Sequence, residues 1–212
     1  KELAQIALAK QFQNGDFRSG YYRDQTIMLA IEELTLEQYF AGLYAHSDVT
    51  IEPQSAGRQM GGHYATRNLD ENGVWKNLMN QKNSSADISP TAGQMPRLVG
   101  LAQASKVYRS NKKLSELDQS KKFTHNGNEV AFGTIGDAST SEGPFWESIN
   151  AAGVMQIPMV MSIWDDGYGI SVPRKYQTTK GSISDALAGM QRTETKNGYE
   201  IFVTRGWDYP HL

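Results

Sequence analysis

The sequence lacks cysteine, a marked excess of charge of either sign, and a long apolar run. Without cysteine, neither a disulfide framework nor a thiolate metal site is possible, and a reducing compartment is compatible with the composition. The 21 basic and 23 acidic side chains give a formal net charge of −2, which does not indicate a nucleic acid partner. The longest apolar stretch, residues 154–164, is shorter than the ~20 residues of a membrane-spanning helix, so no membrane segment is predicted.

The length of 212 residues is sufficient for one domain with a sizeable core, and we expect a single domain over residues 1–212. The N-terminal residues have the pattern of a helix that is already under way. The C-terminal residues follow directly on a predicted strand. We therefore expect this domain to be part of a longer polypeptide.

The first 128 residues predict helices separated by polar segments. The predicted helices span residues 2–13, 25–34, 36 to about 45, and 95–110. The third of them begins behind a capping box formed by Thr35 and Gln38. Residues 47–93 are polar and lack a regular pattern, and an irregular segment of this length is usually functional or disordered.

The remainder of the chain alternates strands with helices. Strands are predicted over residues 129–135, 159–164 and 199–204, with helices over 141–156 and 183–192. The strands are nearly continuous apolar runs, which is typical of strands covered on both faces. This pattern predicts an α/β fold with a parallel sheet flanked by helices.

Two acidic residues are predicted to lie at one edge of that sheet. Asp137 follows the strand that ends near Ile135, and Asp166 follows the next strand along the chain. Because ligands of open α/β sheets bind at the carboxyl ends of the strands, the two carboxylates can meet there beside a helix N-terminus. Such a pair can hold a hard cation that also takes phosphate oxygens. Taken singly, two such residues are more often a helix cap and a turn residue.

Longer motifs surround these two residues. Residues 141–152 read S-E-G-x-F-x-E-x-x-N-x-A, and residues 168–173 read Y-G-I-S-V-P. Together they resemble the alpha-type subunit of the thiamine diphosphate-dependent 2-oxo acid dehydrogenases, the pyruvate and branched-chain enzymes. The general thiamine diphosphate signature is Gly-Asp-Gly followed after about thirty residues by Asn-Asn. Here Ala138 replaces the second Gly, and Asp165-Asp166 replaces the Asn pair.

The resemblance implies a thiamine diphosphate-binding fold with Mg²⁺ as the bridging ion. In this interpretation Asp137 and Asp166 donate side-chain oxygens to the metal, and Tyr168 donates a main-chain carbonyl. Gly136 and Ala138 offer backbone N–H groups to the diphosphate. An aspartate at position 166 keeps a ligating oxygen and adds a charge.

A Tyr22-Arg23 pair precedes Asp24 and a predicted helix. Taken alone, such a pair is more often a solvated surface feature. It matches the Y-Y-R-D segment of the family, in which the Tyr and Arg reach the diphosphate. A planar guanidinium suits this role because it can bind phosphate through two hydrogen bonds.

Two further segments match the family between residues 57 and 96. His63 ends a G-R-Q-M-x-x-H loop that resembles branched-chain members, whose His faces the reacting end of the cofactor; the alternative is a surface His on a flexible loop. An imidazole titrates near neutrality, which suits proton transfer. Ser89 and Thr91 belong to an S-P-x-A-x-Q segment, which in the family contacts the aminopyrimidine ring. Gly93 replaces a Thr that contributes to a K⁺ site in some relatives.

The resemblance implies oxidative decarboxylation of a 2-oxo acid, with the acyl group passed to a lipoyl group on an acyltransferase. It favours a branched-chain 2-oxo acid over pyruvate. The acid that activates the aminopyrimidine comes from a beta-type domain in this family, and nothing after Pro173 resembles that domain. The expected partners are therefore a beta-type subunit or domain and a lipoyl-bearing acyltransferase, in a homo- or hetero-oligomer located in the cytoplasm or the mitochondrial matrix.

Two alternatives stay open. One is another thiamine diphosphate enzyme, such as a transketolase-like carboligase. The other is a non-catalytic cofactor-binding or assembly module, which the departures at Ala138 and Asp165-Asp166 would fit.

Overall fold

The computed structural model describes residues 1–59 and 61–204. Its α-helices are α1 (Glu2–Ala9), α2 (Gln25–Ala30), α3 (Leu36–Leu43), α4 (Gln94–Ser110), α5 (Lys112–Ser115), α6 (Gly143–Met155) and α7 (Ile183–Leu187). Its strands are β1 (Phe17–Ser19), β2 (Asn83–Ser84), β3 (Ala131–Gly136), β4 (Met159–Trp164), β5 (Tyr168–Gly169) and β6 (Val172–Pro173). Single turns of 3₁₀ helix connect several of these elements, including Ala138–Ser141 and Arg174–Tyr176.

The central sheet has four parallel strands in the order β2-β1-β3-β4. The longest pairing joins β3 to β4, from Ala131 opposite Met159 to Gly136 opposite Trp164. β5 and β6 form a separate antiparallel hairpin just beyond the end of β4. The predicted α/β fold with a parallel sheet flanked by helices is confirmed.

Two of the four strands were not predicted. β1 has three residues and β2 has two, so neither is long enough to show an apolar run or an alternation. Both carry polar side chains that are buried, among them Arg18 and Asn83. Their place in the sheet comes from backbone pairing with neighbours that are distant in the sequence.

The predicted strand over residues 199–204 is wrong. Tyr199 makes one isolated parallel bridge to Gln191, and the residues after it, up to residue 204, have no regular structure. Phe202 and Val203 are 86% and 67% exposed. Ile201 packs against the core, but the apolar side chains beyond it do not, so the apolar sequence alone did not produce a strand here.

Helices cover both faces of the sheet. Successive residues of β3 point to opposite faces, and each face has its own apolar cluster. Phe132 packs in a cluster with Phe12 of the α1 region and with Ile27 and Met28 of α2. On the other face Ile135 joins a cluster built by α4, α6 and α7. α4 approaches β3 so closely that a Cβ on Gly133 would lie 2.1 Å from Leu98 Cδ2, so a larger residue there would force the Leu98 side chain to shift.

The helix ends follow local chemistry. Thr35 and Gln38 form the predicted capping box at the start of α3. α2 ends at Ala30, earlier than predicted, because Glu32 adopts a left-handed conformation with φ of 67°. The helix predicted over residues 141–156 is α6, which begins at Gly143 after a 3₁₀ turn. Within the described residues, no helix is long and apolar enough to cross a membrane.

Candidate functional site

The carboxyl ends of β3 and β4 bring three aspartates to one edge of the sheet. Gly136 lies opposite Trp164 in the pairing, so Asp137 and the Asp165-Asp166 pair leave adjacent strands at the same level. Asp137 is 3% exposed. Its Oδ2 is buried and has no hydrogen-bond partner among the described residues. A buried carboxylate oxygen without a partner is costly, and a bound cation would satisfy it.

The charges at this edge favour a cation. Burial raises the pKa of Asp137, and the neighbouring carboxylates of Asp165 and Asp166 raise it further. Burial also opposes ionisation of Asp166, but the Lys1 ammonium outweighs it and lowers the pKa of that carboxyl. Lys1 Nζ lies 2.9 Å from Asp166 Oδ2, so an ammonium already neutralises part of this acidic edge.

The two members of the Asp165-Asp166 pair have different surroundings. Asp165 turns towards its own loop, where its Oδ1 accepts a hydrogen bond of 2.9 Å from Gly167 N and its Oδ2 pairs with the Arg174 guanidinium. Asp166 Oδ1 receives only a long hydrogen bond of 3.4 Å from Tyr168 N. Asp166 is therefore the more available ligand, and Arg174 balances the charge that Asp165 adds.

The donor set fits a hard cation. Two carboxylates and the main chain of Tyr168 are oxygen ligands of the type that Mg²⁺ prefers, with remaining positions left for phosphate and water. Within the part of the chain that the structure describes, no cluster of three or more His, Cys, Asp or Glu side chains is arranged for metal binding. A metal site here therefore needs further oxygen ligands from the main chain, phosphate or water, as the predicted diphosphate site does.

The β5–β6 hairpin packs directly on Ala138. A Cβ on Gly169 would lie 2.6 Å from the Cβ of Ala138, so Gly169 cannot be replaced without a shift. Ile170 at the tip of the hairpin has φ of 57° and is fully exposed, an unusual conformation for a β-branched residue. Because Gly169 has no side chain, the hairpin leaves room for the methyl group of Ala138, where the general signature has glycine.

The Tyr22-Arg23 turn lies between β1 and α2. Both side chains are exposed, and the Arg23 guanidinium lies 5.1 Å from the centre of the Tyr22 ring. The buried Gln5 fixes the turn, since its Nε2 donates to Arg23 O at 3.0 Å and its Oε1 accepts from Ile27 N at 3.0 Å. The backbone of the turn is thus held, while the side chains of Tyr22 and Arg23, the predicted cofactor contacts, stay accessible.

Tyr21 was not singled out from the sequence. Its hydroxyl is buried without a hydrogen-bond partner among the described residues, and it would lie 3.4 Å from a Cβ on Gly136. Burial, followed by the charge of Asp24, raises the pKa of this phenol. The hydroxyl therefore stays protonated and can donate a hydrogen bond at the edge where diphosphate is predicted. Its position next to Tyr22 in the sequence was the only available signal.

His63 and the Ser89–Thr91 turn are neighbours. His63 is half-buried, and its Nδ1 lies 3.4 Å from the backbone carbonyl oxygen of Asp87. Ser89 and Thr91 are exposed in the turn before α4. Ala92 ends that turn with φ of 61°, which directs the chain into the helix. A cleft of about 30 Å³ beside His63 has room for a water molecule.

A comparison with known proteins identifies the family. The sequence model of the dehydrogenase E1 component matches residues 1–192. The chain belongs to the dehydrogenase E1 family. This family depends on thiamine diphosphate.

Curated relatives of this E1 chain include alpha subunits of two dehydrogenases. It is 28% identical over 190 residues to the 2-oxoisovalerate dehydrogenase subunit alpha of Bacillus subtilis, covering 89% of this chain and 47% of the relative. It is 27% identical over 188 residues to the pyruvate dehydrogenase E1 component subunit alpha of Acholeplasma laidlawii, covering 89% and 41%. It is 25% identical over 177 residues to the human mitochondrial 2-oxoisovalerate dehydrogenase subunit alpha, covering 84% and 32%. The chain spans about half or less of the length of these relatives.

The structure brings together Gly136, Asp137, Ala138, Asp166 and Tyr168 at the sheet edge of this E1 chain. Tyr22 and Arg23 directly follow Tyr21, whose hydroxyl lies beside Gly136. His63, Ser89 and Thr91 form a second group around Asp87. Their individual roles towards a cofactor stay predictions, and the link between the two groups is a buried arginine that the sequence did not reveal.

Proposed function

We propose that this chain is the diphosphate-binding part of a 2-oxo acid dehydrogenase decarboxylase. The observation that carries the proposal is the buried, unsatisfied Oδ2 of Asp137, at the sheet edge that Asp166 shares. Because this oxygen lies in a chain of the E1 family, a metal-bound diphosphate is the ligand that best satisfies it.

In the proposed site, Asp137, Asp166 and the Tyr168 carbonyl hold Mg²⁺. The backbone N–H groups of Gly136 and Ala138 bind phosphate oxygens at the start of a 3₁₀ turn that leads into α6. Lys1 already occupies Oδ2 of Asp166, so the metal would bind Oδ1, which receives only the long hydrogen bond from Tyr168 N.

Other side chains bind and orient the rest of the cofactor. Tyr22 and Arg23 contact the diphosphate, where the guanidinium can make two charge-assisted hydrogen bonds. Ser89 and Thr91 contact one side of the aminopyrimidine ring. His63, half-buried on its loop, holds or moves a proton at the reacting end of the site. When bound, thiamine diphosphate supplies the nucleophilic carbon and the electron sink for decarboxylation.

The substrate and partners are part of the same proposal. The G-R-Q-M-x-x-H loop and the names of two relatives support a branched-chain 2-oxo acid over pyruvate. A beta-type domain or subunit would provide the activating acid and the other wall of the pocket, and a lipoyl-bearing acyltransferase would accept the acyl group. We propose a cytoplasmic or mitochondrial matrix location by analogy with the bacterial and mitochondrial relatives.

The test is turnover by the full-length protein with its beta-type partner, measured both as CO₂ release and as reduction of an artificial electron acceptor. The panel contains branched-chain 2-oxo acids, pyruvate and a ketose phosphate. We expect turnover of the branched-chain substrates, and no turnover by residues 1–212 alone. We also expect the partner to protect residues 47–93 from proteolysis.

The outcomes separate the alternatives. Reduction of the acceptor with the ketose phosphate, without CO₂ release, would indicate a carboligase. Cofactor binding without turnover of any substrate would indicate a non-catalytic module. Robust CO₂ release by the 212-residue chain alone would overturn the requirement for a partner.

A further inference from the structure

Arg18 of β1 is the largest fully buried side chain of the described residues, and its exposed fraction is 0%. Its Nε donates to Asp24 Oδ2 at 2.8 Å, and its Nη2 donates to Asp87 Oδ2 at 3.1 Å. Its Nη1 donates to Ser84 Oγ at 2.7 Å, and its Nη2 also donates to Tyr21 O at 3.1 Å. One guanidinium thus joins two segments that are far apart in the sequence, the turn at residues 21–24 and the segment at residues 84–87.

The first pair of contacts holds the Tyr22-Arg23 turn from both ends. Arg18 binds the carbonyl of Tyr21, the residue before the pair, and the carboxylate of Asp24, the residue after it. Asp24 Oδ2 also accepts from Tyr21 N at 3.3 Å. The backbone on both sides of the exposed Tyr22 and Arg23 is therefore held by buried hydrogen bonds, which fix the direction of these two side chains.

The second pair of contacts holds the peptide that follows His63. Tyr64 N donates to Asp87 Oδ2 at 3.3 Å, and Tyr64 O accepts from Ser84 Oγ at 3.4 Å. Both partners are themselves bound to Arg18, and the guanidinium lies 5.8 Å from the centre of the Tyr64 ring. Asp87 also precedes Ser89 by two residues, so its contact with Arg18 also fixes the start of the Ser89–Thr91 turn.

The charge balance of this cluster argues against a purely stabilising role. Burial opposes the charge of Arg18, but Asp24 and Asp87 keep its pKa above the ordinary value, so the guanidinium stays charged. Burial raises the pKa of Asp87 despite Arg18. The Oδ1 atoms of Asp24 and Asp87 are buried without partners among the described residues. Buried ion pairs of this kind often contribute no more stability than apolar side chains of the same size.

We infer that Arg18, together with Asp24 and Asp87, is a positioning unit. It fixes the position of the Tyr22-Arg23 turn relative to the His63-Tyr64 segment. The inference rests on the proposed function, because the two segments need a common frame only if they contact one cofactor. Each candidate contact outside the sheet edge is the immediate or near neighbour of a residue in this unit.

Asp87 offers the sharpest test. Removal of Arg18 would leave two buried carboxylates unpaired, which is expected to destabilise the fold severely. Asp87→Leu instead leaves Arg18 paired with Asp24 and bound to Tyr21 O, and removes the acceptor that Arg18 Nη2 shares with Tyr64 N. Asp87→Asn keeps an acceptor oxygen in the same place. Arg109→Met is the matched control, because within the described residues Arg109 binds only the carbonyl of Gly127, near the other end of α4 from the site.

The measurements use the full-length protein with its beta-type partner. We expect Asp87→Leu to weaken Mg²⁺–thiamine diphosphate binding, measured by calorimetry, by about tenfold, the loss typical of a buried hydrogen bond. Hydrogen exchange at the Tyr64 amide should accelerate in the same variant, with and without cofactor. Asp87→Asn should stay within about threefold of the wild type in affinity, and Arg109→Met should match the wild type.

The outcomes distinguish the two proposals. If the wild type binds no cofactor, the proposed function fails and the positioning role fails with it. If the wild type and Asp87→Leu bind cofactor equally at a temperature where both are folded, only the positioning role is overturned. Equal loss in Asp87→Asn and Asp87→Leu would also overturn it, since the acceptor oxygen would then not be the relevant feature.

Discussion

The two parts of the candidate site are built in different ways. The sheet edge around Asp137 rests on two six-residue strands, the buried β3 and the partly buried β4, which ends at the buried Trp164. The region that carries the Tyr22-Arg23 turn and His63 rests on strands of three and two residues and on a buried arginine. The first part is organised by hydrophobic burial, and the second by hydrogen bonds to charged groups.

This difference bears on how each part responds to change. Apolar burial is non-directional, so the edge should keep its backbone when a single aspartate is replaced. A buried charged network is directional, and loss of one member leaves other groups unsatisfied. Substitutions at the edge should therefore affect ligand binding with little effect on the fold, whereas substitutions in the network should affect both.

The largest expected effect is that of Asp137→Ala. The change removes the buried, unsatisfied oxygen and a predicted metal ligand, so cofactor binding by the full-length protein with its partner should fall at least as far as the roughly 10–100-fold typical of lost supporting groups at metal sites. The thermal midpoint should change little. Calorimetry measures the affinity, and Asp118→Ala is the control, since Asp118 is exposed on the surface.

Asp166→Asn tests the same edge from the other side. It restores the usual residue of the signature and keeps a ligating oxygen, so metal-dependent binding should survive. Unchanged affinity in Asp137→Ala would rule out Asp137 as a ligand. Loss of binding in Asp166→Asn would mean that the second charge has a role of its own.

The next largest effect is that of Arg23→Ala on cofactor affinity. A charge-assisted contact with phosphate contributes roughly 1.5–3 kcal/mol, so binding should weaken by about ten- to a hundredfold. Arg23→Lys should recover only part of this loss, because the planar fork is absent. Since Gln5 holds the backbone of this turn, stability should be unaffected. Equal affinity in wild type and Arg23→Ala would assign the side chain to solvent.

A smaller effect is expected from the Asp165–Arg174 pair. The pair is about a third exposed, so Arg174→Gln should lower the free energy of unfolding by no more than about 1 kcal/mol. In an Asp165→Asn background the same change should have no effect, because the charge to be balanced is gone. Chemical denaturation of the four proteins in this cycle measures the coupling. Equal losses in both backgrounds would exclude the charge-balancing role of Arg174.

The smallest effect concerns pH and the cofactor-free protein. The pKa of Asp137 in the folded state is raised above its ordinary value of 3.8, so this group disfavours folding as pH rises through the window between the two values. Asp137→Asn should therefore be slightly more stable than wild type at neutral pH, and the difference should vanish below about pH 4. Thermal denaturation without metal tests this. A constant difference across the pH range would exclude ionisation of Asp137 as its cause.

Much of the fold follows from local patterns. The apolar runs of β3 and β4, the capping box of Thr35 and Gln38, and the helices α4 and α6 all have signals within a few residues. The position of Asp137 and Asp166 at one sheet edge follows as well, because parallel strands joined by a helix end on the same side. These features depend on side-chain periodicity and caps, which a sequence displays directly.

Other features were decided only by the tertiary structure. β1 and β2 are too short to carry a pattern, and the apolar residues 199–204 predicted a strand that did not form. Arg18 has no local signal either, because its partners Ser84 and Asp87 lie 66 and 69 residues away. A buried charge is stable only where distant groups converge on it. The sequence alone therefore determined the elements of the sheet edge, and the folded chain determined how the His63 loop and the Tyr22-Arg23 turn are joined.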